Sequence, residues 1–267
     1  MIASTIVAVR WALADAWALA RRGLVHWVRN PGMVAGVLAY PAVMVLLFGY
    51  VLGSAIQVAG GGDYREFLMP GMFAQTMAMG VVSTMIVVAA DAAQGVTDRL
   101  RVLPVSRAAP LLGRCLADMV NGTLELAILA GCALVAGWSW HRGPAAALAA
   151  VGLLLALRLA MVWLGIWLGL GLSPQGAQAA WMPVLPVTFL SATFVSPAQL
   201  PGWLEPVAAW NPLSATVTAC RDLFGNPGVA GDGWAARHAL ELAVAWPVVI
   251  IAVCAPLAVR RYRRLDR

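Results

Sequence analysis

Long apolar runs alternate with short polar segments along this chain, and six of the runs reach the length a bilayer demands. About 30 Å of hydrocarbon at ~1.5 Å per residue requires roughly 20 residues. The pattern predicts spanning helices over about Met33–Ser54, Gly71–Ala90, Leu116–Gly137, Ala145–Leu170, Ala179–Val195 and Ala239–Val259. The first follows the helix-breaking Asn30-Pro31-Gly32, and Pro183 and Pro186 predict a kink in the fifth. The expected fold is an all-α membrane protein. Its six-helix domain occupies 31–260, after a cytoplasmic segment at 1–30 and before a basic tail at 261–267.

Two stretches need separate treatment. Residues 2–20 are apolar enough for a span or a signal peptide, but Arg10 and Asp15 interrupt them and no positive stretch precedes them. Arg10 at mid-membrane would cost about 2.5–3.5 kcal/mol. An interfacial helix is predicted instead, with Trp11, Trp17 and Trp27 at headgroup depth and Arg21, Arg22 and Arg29 reaching lipid phosphates, a frayed cytoplasmic tail being the alternative. Between the fifth and sixth spans, Pro197, Pro201, Pro206, Pro212 and Pro227 accompany Trp203, Trp210 and Trp234. Short re-entrant or interfacial helices are expected there, with an ordinary aromatic-belt loop as the alternative.

Composition agrees with the pattern: of 267 residues, 61% are hydrophobic and 11% charged, with a mean hydropathy of +0.81. That excludes an ordinary soluble domain. All 18 basic residues are Arg. With the N-terminus inside, 13 of them fall on cytoplasmic segments and only Arg65, Arg142, Arg221 and Arg237 outside, which predicts both termini in the cytoplasm. The basic excess then reports orientation, and no nucleic-acid partner is expected. Without Lys there is no P-loop, so any ATP-driven role needs its ATPase on another chain. Cys115, Cys132 and Cys254 lie in apolar stretches, and His26, His141 and His238 are far apart, so neither a disulfide nor a metal site is predicted.

Ionisable residues at membrane depth default to functional hypotheses. Asp118 lies near the cytoplasmic end of the third span and is expected in the interface. Glu125 is 12 residues before Gly137, and Arg158 is 13 after Ala145. On antiparallel neighbours both side chains lie ~18–20 Å below the outer boundary. They form either an ion pair locking two helices or a substrate contact. In the second span Gln75, Thr76, Met79, Ser83 and Thr84 mark either a pathway lining or a helix interface.

The loop after the second span carries Asp98, Arg99, Arg101, Leu103, Pro104, Ser106 and Arg107. It is either an amphipathic segment lying on the membrane or docking on a partner, or a solvated positive-inside loop. Phe67-Leu68-Met69-Pro70-Gly71, Gly95 to Arg107 and Gly113-Arg114 with Ala117-Asp118 together resemble the type 2 ABC transporter permeases, closest to the daunorubicin and doxorubicin resistance subgroup of bacterial exporters. Phe194-Val195-Ser196-Pro197, Leu200 to Leu204, Asn211-Pro212-Leu213 and Ala219-Cys220-Arg221 resemble the same subgroup more weakly. Val102 departs from the pattern, where a small polar residue is expected.

The resemblance implies a permease subunit in the bacterial cytoplasmic membrane, without catalytic residues of its own. It would dimerise with a second permease and form a pathway for hydrophobic drugs or lipids. A separate ABC ATPase subunit would use ATP and Mg, docking on the interfacial helix and the Asp98–Arg107 loop. Trp203, Asn211 and Pro212 would belong to an outer gate. An ion-coupled secondary transporter with Glu125 as its ion site is the alternative, although paired repeats are not evident. A membrane-embedded transferase fits less well, since Asp91 and Asp98 are seven apart with no second carboxylate pair to share Mg2+.

Overall fold

The computed structural model describes residues 62–94, 109–197, 200–228 and 233–264, with isolated positions between 32 and 47. The expected interfacial helix, most of the first span, the seven named residues of the Asp98–Arg107 loop and residues 265–267 of the tail lie outside the described residues. Among the described residues every regular element is helical: α1 (Tyr64–Ala93), α2 (Ala109–Val135), α3 (Pro144–Gly169), α4 (Pro174–Ala179), α5 (Trp181–Phe189), α6 (Glu205–Ala209), α7 (Pro212–Phe224), α8 (Trp234–Arg237) and α9 (Ala239–Arg264). Helix is the expected outcome for apolar chain in lipid, because it satisfies its backbone hydrogen bonds within the segment. Among the described residues four helices, α1, α2, α3 and α9, are long and apolar enough to cross a membrane.

Helix α1 begins at Tyr64, seven residues before the expected span. Pro70 lies in its second turn and leaves the Glu66 carbonyl without its intrahelical N–H, yet the helix continues through it. The Asp63 side chain caps the start, accepting from the Arg65 N–H at 2.8 Å. Hydrogen bonding to Arg65 holds the Asp63 carboxyl below its usual pKa. At 30 residues α1 is ~45 Å long, so it exceeds the hydrocarbon thickness.

The fifth expected span, about Ala179–Val195, is helical mainly over α5, Trp181–Phe189. Chain from 174 to 189 divides into α4 and α5 at Ala180, and the ring of Pro183 accounts for the break, since it crowds the carbonyl of Ala179, where α4 ends. Helix α5 has nine residues, or ~14 Å, too short to cross alone. A turn at 191–194 follows, and its Thr193 backbone meets α1 at Gly71, where a Cβ would come within 2.9 Å of the Thr193 carbonyl.

Helix α3 is central and touches α1, α2, α7 and α9. Its approach to α1 runs through Gly165 and Gly169. A Cβ on the first would lie 2.7 Å from the Val81 carbonyl oxygen, and on the second 2.7 Å from that of Met85. This Gly-x-x-x-Gly spacing brings two backbones together as small residues do in membrane helix pairs.

At the end where α2 turns into α3, α2 closes on Gly137 with the Trp138 N–H bonded to the Ala133 carbonyl (2.9 Å) and the Gly137 N–H to that of Leu134 (3.1 Å). Helix α7 closes the same way on Gly225, whose φ of 74° favours glycine. The two ends are tied by Trp138 Nε1 donating to Asn226 Oδ1 at 3.0 Å and by edge-to-face contacts among Phe73, Trp138 and Phe224.

Candidate functional site

The polar interior lies between α1, α2 and α3. Glu125 on α2 and Arg158 on α3 come together, Arg158 Nη1 donating to Glu125 Oε2 at 3.2 Å. They are 8% and 2% exposed. Two glycines make room for the guanidinium: a Cβ on Gly80 of α1 would lie 2.6 Å from Nη1, and one on Gly122 of α2 would lie 2.8 Å from Nε. The arginine therefore occupies a slot cut into both neighbouring helices. An apolar side chain at either glycine would displace the charge.

Asp118, in the first half of α2, is enclosed by protein. It is 2% exposed and fully partnered, accepting from Arg114 Nε and Nη2 (2.9 and 2.6 Å) and from the Thr84 hydroxyl (2.7 Å). The sequence could not show this, because burial comes from α1 packing Thr84 against that face of α2. Arg114, Asp118, Gly122 and Glu125 follow one another at spacings of four, four and three, so one face of α2 carries the polar line. Its two carboxylates are ~10.5 Å apart along the axis, each matched by an arginine. Buried charge in a membrane protein is tolerated in such pairs.

The five expected pathway residues do not share a face. Gln75 and Thr84 are buried in helix packing. Thr76 and Met79 are half-buried and Ser83 is exposed, and these three continue through Val87 and Ala90 as the least covered stripe of α1. Thr76 and Ser83 turn their hydroxyls back onto their own helix, to the carbonyls of Met72 (2.8 Å) and Gly80 (3.1 Å). The stripe thus presents methyl and thioether surface, its hydroxyl hydrogens already used.

At the start of α7, Asn211 does structural work. Its Oδ1 caps α7 through the Leu213 N–H (2.9 Å), while Nδ2 donates to the carbonyls of Val187 (2.8 Å) and Leu190 (3.0 Å). Pro212 occupies the first position of α7, where a missing N–H costs nothing. Trp203 is 76% exposed.

The residue missed by sequence reasoning is Arg221, expected as one of four outer positive charges. It is 3% exposed. Nε donates to the Phe67 carbonyl (2.9 Å), Nη2 to that of Thr193 (3.1 Å), and the guanidinium lies 3.6 Å from the centre of the Phe67 ring. Burial pulls its pKa down to about 9, so it keeps its charge at neutral pH. It ties α7 to α1 and to the 191–194 turn at once. A signal existed: a 13-residue segment bounded by Asn211-Pro212 and Gly225 is a capped helix, and Arg221 falls on its apolar face. Arg221→Lys is expected to leave one of the two carbonyls unpaired and to lower stability by about 2 kcal/mol, read from a thermal melt in detergent. A wild-type melt would show that the two carbonyls do not need the fork.

Helices of spanning length, whose buried charges among the described residues are partnered, define a polytopic helical membrane protein. The chain belongs to the ABC-2 type transporter family, which it matches over residues 14–224. It is 29% identical over 258 residues to the daunorubicin resistance ABC transporter permease protein DrrB1 of Streptomyces coeruleorubidus, covering 96% of this chain and 87% of that protein. It is 25% identical over 262 residues to the probable doxorubicin resistance ABC transporter permease protein DrrC of Mycobacterium tuberculosis, covering 96% and 91%.

Proposed function

We propose that this permease subunit forms half of the membrane pathway of an ATP-driven exporter of hydrophobic drugs or lipids. The family match carries the permease role; the two relatives, named for daunorubicin and doxorubicin resistance, support the substrate class. The Thr76–Met79–Ser83 stripe supports a position beside the pathway or against a second permease. It is the open side of a helix in whose most apolar stretch 78% of the residues are buried, against 22% in α9. An adaptable methyl and thioether surface suits substrates recognised by shape and apolarity.

On this reading six spans, the fifth broken into α4 and α5, lie in a bacterial inner membrane, and the arginine distribution favours both termini in the cytoplasm. The α2–α3 turn end then faces outward, and Trp203 and the Asn211–Pro212 cap belong to the outer gate. ATP and Mg are used by a partner ATPase, which docks on the 1–30 helix and the loop holding Asp98, Arg99, Arg101, Leu103, Pro104, Ser106 and Arg107. Glu125 is already matched by Arg158, which disfavours it as the ion site of a secondary transporter.

Co-expression with an ABC ATPase tests the assignment: the two chains should co-purify, and drug should stimulate hydrolysis. Export driven by a proton gradient without an ATPase would overturn it. Arg99→Ala with Arg101→Ala should leave membrane insertion unchanged while export falls at least about tenfold, a coupling loss within the usual range. Undiminished export at equal protein levels would remove the loop from the coupling path.

A further inference from the structure

Beside the C-terminal ends of α3 and α9 opens a pocket of about 630 Å³ whose walls are of two kinds. Trp167, Leu170, Leu172 and Leu257 make one side apolar, and Arg260 and Arg261 stand on the other. Neither arginine has a carboxylate partner among the described residues, whose ion pairs all use other groups. The only acid on α9 is Glu241, in its first turn and ~30 Å away along the axis. Two positive charges thus face a cavity where no acid among the described residues is paired with them.

Gly171 shapes the arrangement. The Arg261 guanidinium folds over it into space a Cβ would take, which turns that side chain toward the end of α3. Arg261 is half-buried in this position and Arg260 is exposed at the rim. Trp163, Trp167 and Tyr262 pack into the same cluster, the residue types that gather at headgroup depth.

We propose that this pocket holds the phosphate headgroup of an anionic phospholipid, with an acyl chain along the Trp167–Leu257 wall. Guanidinium forks match phosphate oxygens, and basic pockets between spanning helices suit anionic headgroups. A soluble phosphate would use the two arginines but has no need of the apolar wall. A docking protein would need a face turned to water, whereas four of the seven lining residues belong to α3 and α9 themselves. The inference requires α3 and α9 to span the membrane. It does not require the exporter reading or a choice of leaflet, so its failure leaves the proposed function standing.

The test is native mass spectrometry of the full chain, purified in detergent, stripped of lipid and titrated with dioleoylphosphatidylglycerol or dioleoylphosphatidylcholine. One phosphatidylglycerol per chain should be retained with a preference of roughly tenfold or more. Arg260→Gln with Arg261→Gln should abolish the preference. Gly171→Ala keeps both charges but displaces a flexible guanidinium, so it should fold and still lose several-fold of the preference. Glycerol 1-phosphate at millimolar concentration should not compete. Equal retention of the two lipids by wild type, or full preference in both variants, would overturn the proposal. Competition by glycerol phosphate as strong as by lipid would assign the pocket to a soluble phosphate instead. Loss of ATPase co-purification in the arginine variant with lipid preference intact would make it a protein-docking surface.

Discussion

Glu125→Gln is expected to strip most of the folded protein from the membrane, because it leaves Arg158 charged and 2% exposed with no anion beside it. Breaking a buried ion pair from one side costs about 3–5 kcal/mol. Total stabilities run at about 5–15 kcal/mol, so little folded protein would survive detergent extraction. The penalty comes from the orphaned charge and not from the lost attraction, which gives the prediction a second arm. Glu125→Gln combined with Arg158→Met should accumulate and melt closer to wild type than Glu125→Gln alone. A charge swap, Glu125→Arg with Arg158→Glu, should recover only part. The slot at Gly80 and Gly122 is cut for a guanidinium reaching from α3, and the swapped one would reach from α2. If Glu125→Gln accumulates and melts as wild type but shifts the profile of exported drugs, the pair is a substrate contact and its structural role is lost.

What the sequence made legible follows from what a bilayer constrains. The starts of α3 and α9 lie within a residue of the predicted Ala145 and Ala239, because the switch from polar to apolar chain is abrupt there. The matched depth of Glu125 and Arg158 also came from counting, since two antiparallel helices joined by a short turn share one depth scale. Burial of Asp118 and Arg221 was not legible. It depends on which neighbours arrive, Thr84 for the first and the Phe67 and Thr193 carbonyls for the second, and those contacts are 28 to 154 residues distant in the chain. The division at Ala180 lies between these cases: Pro183 and Pro186 announced a kink, but whether proline bends or severs a helix depends on what else satisfies the freed carbonyls. The Gly165-x-x-x-Gly169 spacing is visible in the sequence, while its partner helix is not.

That spacing yields the second large effect. Gly165→Ala and Gly169→Ala should each destabilise by about 1–3 kcal/mol, the cost of forcing one methyl into a filled interface, and the double variant should accumulate poorly. Each new Cβ would lie 2.7 Å from a backbone carbonyl oxygen of α1, and backbone has no rotamer into which to retreat. Thr84 and Val88 Cβ atoms stand 2.9 Å away on the same side, so the helices can only separate. Separation would pull Thr84 from Asp118 and loosen the helix carrying the Thr76–Met79–Ser83 stripe. Gly152→Ala is the control on the same helix, with nothing within 4 Å of the new methyl. It should be neutral or stabilising by up to ~1 kcal/mol, from helix propensity alone. Thermal melts of the three single variants in one detergent decide the matter. Opposite signs at 152 and 165 would locate the cost in contact with α1, whereas equal shifts would mean that α1 and α3 do not depend on close backbone approach.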